Sequence, residues 1–158
     1  MFEIMSDSKS ALFICLGNIC RSPIAEAVFR DLLKRRNLLE EWDVDSAALG
    51  SWHVGNQPDR RAQKCLKLHG IDYKHTVRQI KEDDFNRFQH IFGMDEENMR
   101  ELNRKAPKNC AAKLHLLGDF DPRGERIIRD PYYDDDDAGF EKCYQQCVRS
   151  CAAFLDSK

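Results

Sequence analysis

Apolar residues in this chain follow two alternating rhythms. Leu12, Phe13 and Ile14 run without interruption into Cys15, as in a strand buried on both faces. After Ser22-Pro23 the spacing changes: Ile24, Val28 and Leu32 recur every fourth residue with Ala27 and Leu33 beside them. That spacing predicts an amphipathic helix capped by Ser22 and reaching about Arg36. Val44 to Ala48 reads as a short second strand entering a loop from Gly50 to Gly55. A helix is expected from near Pro58-Asp59, with Ala62, Cys65, Leu66 and Leu68 inward and Gly70 as its stop. Gln89 to Met94 reads as a third strand, Asp95 to Lys105 as a helix with Met99 and Leu102 inward, and Lys113 to Leu117 as a fourth strand. Beyond a charged loop from Gly118 to Asp137, a closing helix from Ala138 to Leu155 carries Phe140, Tyr144, Val148, Cys151 and Leu155 in one stripe. Strands alternating with helices predict a single α/β domain, a parallel sheet covered on both faces, with ligands at the carboxyl ends of its strands.

Composition narrows the function classes. At 158 residues, with a formal net charge of -2, the chain is expected to make one domain, and no basic surface dominates to suggest nucleic acid or anionic lipid as its main partner. Its 7 cysteines are odd in number and scattered through apolar stretches, so a disulfide framework is not expected and the expected compartment is the reducing cytoplasm. No apolar stretch approaches a membrane span. Residues 1–9 read as a flexible N-terminal arm and 10–157 as the domain.

The chemistry concentrates after the first strand, in Cys15-Leu-Gly-Asn-Ile-Cys-Arg-Ser-Pro23. A strand delivers a thiol, the chain then curls through Gly17 and Asn18, two residue types that tolerate left-handed backbone, and a helix follows. Successive backbone N–H groups and the positive end of the helix then converge on one concavity that holds an oxyanion. Arg21 offers two parallel donors to a phosphoryl group, and its charge favours a thiolate at Cys15. A leaving oxygen needs a proton donor. Asp130, heading Asp-Pro-Tyr-Tyr133, is the candidate, with Tyr132 and Tyr133 as walls for an aromatic ring.

These two motifs, with Asp45-Ser46-Ala47, Trp52-His53-Val54-Gly55, Pro58-Asp59, His75, Arg78-Gln79-Ile80 and Met94-Asp95-Glu96 between them, resemble the low molecular weight protein tyrosine phosphatases over nearly the whole chain. The resemblance implies a four-stranded parallel sheet flanked by helices and cofactor-free hydrolysis of phosphotyrosine through a cysteinyl phosphate. Residue by residue it implies Cys15 as nucleophile, Arg21 as phosphate clamp, Asp130 as acid and then base, and Ser22 as a hydroxyl donor to the Cys15 sulfur. Leu16, Gly17, Asn18, Ile19, Cys20 and Ser22 would surround the phosphate, and Trp52, Tyr132 and Tyr133 would line the substrate cleft. Asn18, Ser46 and His75 would support the loop, and Cys20 would protect Cys15 through a reversible disulfide. The expected partners are phosphotyrosine proteins and small aryl phosphates, not nucleic acid or membrane, with the chain a monomer or weak dimer.

Two features depart from that pattern: Thr76-Val77 follows His75, and Asp134 to Asp137 is unusually acidic. The four aspartates read as a solvated loop whose field favours basic residues beside the phosphotyrosine. Rival readings are an arsenate reductase on the same scaffold, a phosphotyrosine-binding module without turnover, and a zinc-held structural protein. The reductase needs a mobile thiol pair, and no Cys occurs from Leu66 through Asn109. Cys143, Cys147 and Cys151, at successive fourth positions, read as core packing, as do Cys65 and Cys110.

Overall fold

The computed structural model describes residues 9–158. Except for Lys9, the arm expected over 1–9 lies outside these residues, and Lys9 is already the first residue of β1 (Lys9–Cys15). The elements that follow are α1 (Arg21–Arg35), β2 (Trp42–Ala48), α2 (Arg60–Leu68), α3 (Asp84–Arg87), β3 (His90–Gly93), α4 (Glu96–Lys105), β4 (Lys113–Leu116) and α5 (Ala138–Asp156). All four strands are parallel, in the order β2-β1-β3-β4, so the single α/β domain expected from the alternation is the fold observed.

The sheet is covered twice, which is why β1 reads as a continuous apolar run. Its odd positions Ala11, Phe13 and Cys15 face α1 and α5 in a core with Phe29, Phe92, Phe140 and Phe154. Its even positions Leu12 and Ile14 pack on the other face against Phe85, Phe88, Ile91 and Leu102. The chain leaves β1 to one side for β2 and later returns on the other side at β3. The crevice between the carboxyl ends of β1 and β3 is therefore a topological switch point, where open α/β sheets bind ligands. Among the described residues no helix is long and apolar enough to cross a membrane.

Several local expectations need correction. Ser22 does not cap α1: the helix starts at Arg21, its N-cap is Cys20, and the Cys20 side chain makes no capping hydrogen bond. Leu68 points to solvent at 74% exposure, because the buried stripe of α2 is Ala62, Cys65 and Leu66. The fourth strand stops at Leu116, and Leu117–Phe120 tightens into a 3-10 turn. The short helix α3 carried too few residues to show a period.

Under the β1–β3–β4 part of the sheet, His90 is only 2% exposed and its Nδ1 lies 3.0 Å from Nε2 of His115. Burial, then Lys158 and His115, push His90 from its ordinary 6.5 down to about 4. Between those values the unfolded chain binds a proton that the folded chain refuses, so stability falls as pH falls through that window, by on the order of 2–3 kcal/mol. Denaturation midpoints should drop across this range, and His90→Gln should flatten part of the drop. An equally steep decline in that variant would remove His90 as its source.

Candidate active site

Leu16 to Cys20 joins β1 to α1, and the loop turns back on the sulfur that precedes it. Asn18 takes the left-handed turn at φ 57°. Its N–H points at Cys15 Sγ from 3.2 Å, and the N–H of Ser22 does so from 3.4 Å. Ser22 Oγ lies 3.1 Å from the same sulfur. The open end of α1 thus closes on a cysteine sulfur, which is why Ser22 leaves the capping position.

The direction of that hydroxyl is set from behind. Asn18 Nδ2 donates to Ser22 Oγ at 2.7 Å and to Ser46 Oγ at 3.1 Å. Occupied as an acceptor, Ser22 Oγ has its proton free for the sulfur. Asn18 Oδ1 accepts from His75 Nε2 at 2.7 Å, so this imidazole carries its proton on Nε2. Ser46 Oγ and Tyr73 Oη both donate to Glu26 Oε1, at 2.7 and 2.6 Å. Ser46 and His75 thus both bond to Asn18, and this chain of hydrogen bonds ends on a buried carboxylate, Glu26, to which sequence reasoning gave no part.

Arg21 is 3% exposed in its side chain, and its guanidinium is held along one edge. Nη1 donates to Asp95 Oδ2 at 2.7 Å and to the Ile128 carbonyl at 2.9 Å. Nε is buried with no partner, and Nη2 is 3.8 Å from Asp130 Oδ2. The parallel Nε and Nη2 donors are therefore the edge left without a close acceptor, on the side of Asp130; Arg21 lines an adjoining hollow with Leu16, Trp52, Asp95 and Asp130. Burial pulls the Arg21 pKa down, but Cys15 and the Asp95 hydrogen bond more than offset it and the net shift is upward. Asp95 was read as a helix start and as part of the resembling segment Met94-Asp95-Glu96, with no role of its own. It does cap α4, with Oδ1 accepting the N–H of Asn98 at 2.8 Å, while its other oxygen orients Arg21. An acidic residue directly after a strand at the switch point was the available signal.

Asp130 is reached by a loop pinned at several points. Ile128 N–H bonds the Met94 carbonyl at 3.0 Å. Arg61 donates to the carbonyls of Tyr132 at 2.9 Å and Asp134 at 3.1 Å. Asp130 Oδ1 accepts the Tyr132 N–H at 3.1 Å, leaving Oδ2 to face Arg21. A cleft of about 400 Å³ results, lined by Cys15, Leu16, Gly17, Ile19, Cys20, Trp52, Asp130, Tyr132 and Tyr133, together with His53, to which sequence reasoning assigned nothing. Trp52 and Tyr133 stand at the rim, 68% and 87% exposed. Trp52 lies over Gly50, where a Cβ would come within 1.7 Å of the indole, so this glycine gives the ring its place. Asn18, Ser22, Ser46 and His75 lie behind the loop and do not line the cleft.

The run of four aspartates is less acidic in its effect than in its sequence. Asp134 is paired with Arg129 at 2.7 Å and Asp137 with Lys64 at 3.0 Å, while Asp136 accepts the Ala138 N–H at 3.0 Å. Much of the expected field at the rim is neutralised locally.

A sequence model of the low molecular weight phosphotyrosine protein phosphatases matches residues 10–157. The low molecular weight phosphotyrosine protein phosphatase of Homo sapiens is 56% identical over 151 residues, 94% of this chain and 95% of that protein. Among solved structures, Primo-1 superposes with a TM-score of 0.91 at 54% identity, covering 95% of this chain and 98% of the other. DARP, described as a drosophila arginine phosphatase, superposes with a TM-score of 0.89 at 42% identity, covering 93% and 96%.

Proposed function

This chain belongs to the low molecular weight phosphotyrosine protein phosphatases, a hydrolase family, and from that premise we propose that it hydrolyses protein phosphotyrosine and small aryl phosphates through a cysteinyl phosphate at Cys15. The observation that carries this reading is the Nε/Nη2 edge of Arg21, whose Nε is buried without an acceptor and whose Nη2 stands 3.8 Å from Asp130. A buried donor without an acceptor costs about 1–3 kcal/mol, and a phosphoryl group bridging that edge and the Leu16–Cys20 amides supplies the acceptor.

In the first step Cys15 Sγ attacks phosphorus in line, a P–S bond forms, and the P–O bond to the tyrosine breaks as Asp130 gives its proton to the departing oxygen. In the second step the Asp130 carboxylate takes a proton from water, the water oxygen attacks phosphorus, and the P–S bond breaks to release inorganic phosphate. The Ser22 hydroxyl, aimed by Asn18, steadies the sulfur as it leaves. Throughout, Arg21 and the end of α1 face the charge that spreads over the phosphoryl oxygens. Leu16, Ile19, Trp52, Tyr132 and Tyr133 give the entrance an apolar character suited to an aryl ring. The proposed setting is a cytoplasmic monomer or weak dimer acting on phosphotyrosine proteins.

A pre-steady-state assay in chelator tests the reading. A burst of phenol equal to one enzyme equivalent, followed by slower turnover and a trappable phosphocysteine, is expected. Because a related structure is that of an arginine phosphatase, phosphotyrosine and phosphoarginine peptides should be compared. Preferential cleavage of phosphoarginine would overturn the aryl assignment. The reductase alternative is disfavoured by Cys143, Cys147 and Cys151, all buried within α5.

Cys20 also lines the cleft, and burial, then Asp59 and Cys15, raise its thiol far above the ordinary range. Peroxide should therefore oxidise Cys15 first to the sulfenic acid, which Cys20 condenses with, losing water. Mild peroxide is expected to inactivate reversibly, with thiol reductant restoring activity. Mass spectrometry should find Cys15 bonded to Cys20; Cys20→Ser recovering as fully as wild type would exclude the protective role.

A further inference from the structure

Away from the cleft, α2 and α5 bring together a thiol, an imidazole and a carboxylate. Cys65 and His69 are one helical turn apart on the α2 side, the spacing that sets two side chains on one face, and Glu141 faces them from the first turns of α5. His69 Nε2 lies 2.9 Å from Glu141 Oε1, and Cys65 Sγ lies 3.8 Å from the same oxygen. All three donor atoms fall within 4.8 Å of one another. Donor-to-donor spacings around tetrahedral zinc are roughly 3.3–3.6 Å, from metal–ligand bonds of about 2.0–2.3 Å, so small side-chain shifts convert this cluster into a ligand set.

The cluster is also held in orientation. The His69 ring stacks on Tyr144 with centroids 3.8 Å apart at 11°, and Gln145 Nε2 donates to Glu141 Oε2 at 2.7 Å. Such outer contacts are what fix metal ligands. Among the described residues, the neighbouring lysines pair elsewhere, Lys64 with Asp137 and Lys142 with Glu125, so no lysine or arginine competes for Glu141. By contrast, the other compact group, Glu26, Asp45 and His75, has its carboxylates already engaged by Arg30 and Arg78.

We propose that Cys65, His69 and Glu141 form a site for a borderline-soft divalent cation, Zn²⁺ in chemical class, with water as the fourth ligand. On binding, the metal–sulfur bond forms as Cys65 releases its proton to solvent, and the ion ties α2 to α5. Those helices flank the loop of Asp130, since Arg61 at the start of α2 holds the Tyr132 and Asp134 carbonyls. The ion is thus a staple for the cleft wall, separate from the phosphoryl chemistry.

Co²⁺ serves as the spectroscopic probe, titrated into intact protein carrying Cys15→Ser so that the cleft thiol contributes nothing. One equivalent should bind with a thiolate-to-cobalt charge-transfer band, displaced by Zn²⁺, and Zn²⁺ should raise the Tm. The band should vanish in Cys65→Ala. In Glu141→Gln, a half-exposed change that leaves packing intact, affinity should fall at least about tenfold. No band at stoichiometric Co²⁺, or a band that survives Cys65→Ala, would overturn the proposal.

Discussion

Replacing Cys15 with serine is expected to lower kcat for aryl phosphates by at least about 10⁴-fold while the fold and phosphate affinity persist. An alkoxide is far harder to form than a thiolate, and the Asn18 and Ser22 donors are placed around a sulfur at 3.1–3.4 Å. Arg21→Ala should fall into the same range for a different reason. It removes the guanidinium proposed to clamp the phosphoryl group, and it also strands Asp95, so a loss of stability accompanies the loss of rate. Arg21→Lys should rescue stability in part but little activity, because a point charge cannot reproduce the fork. Residual turnover in Cys15→Ser above a few per cent, or a phosphorylated residue other than Cys15 in trapping experiments, would sink the nucleophile assignment.

Asp130→Ala should divide substrates by leaving group. With phosphotyrosine, where a basic phenolate departs, a loss of about 10²–10³-fold in kcat is expected; with a strongly activated phenol, which leaves unprotonated, less than about tenfold. The split follows from geometry in which one carboxylate oxygen is occupied by the Tyr132 N–H and the other faces Arg21 across 3.8 Å. Asp130→Asn keeps the loop hydrogen bond and should show the same split, separating proton transfer from loop distortion. A uniform loss over all leaving groups would assign Asp130 to binding.

How far the site was legible depends on how local its geometry is. Cys15, Asn18, Arg21 and Ser22 lie within eight consecutive residues, and a strand, a tight turn and a helix start leave them few arrangements. Their type and spacing therefore carried nearly the whole conformation of the loop between β1 and α1. Ser22 was misread as a cap because the sulfur that closes α1 belongs to the preceding strand, and propensity cannot register such a partner. Leu68 was misread because its helical phase fits an apolar stripe, while the surface opposite it is solvent. The aspartate run gave its charge plainly and its partners, Arg129 and Lys64, not at all.

By itself the sequence determined the alternation of strands and helices, the double burial of β1, and the Cys15–Arg21 loop. All three are written in short windows of sequence, as side-chain period, an unbroken apolar run and motif spacing, even though the partners that bury β1 lie far along the chain. Tertiary structure decided the rest: the order β2-β1-β3-β4 that puts Asp95 beside Arg21, the Ile128 carbonyl that takes the second Nη1 donor, the Glu26 end of the Asn18 network, and the meeting of Glu141 with Cys65 and His69. Those pairings join residues 20 to 107 positions apart. Whether such side chains meet depends on the register and packing direction of whole elements, a property of the assembled core that no local window of sequence contains.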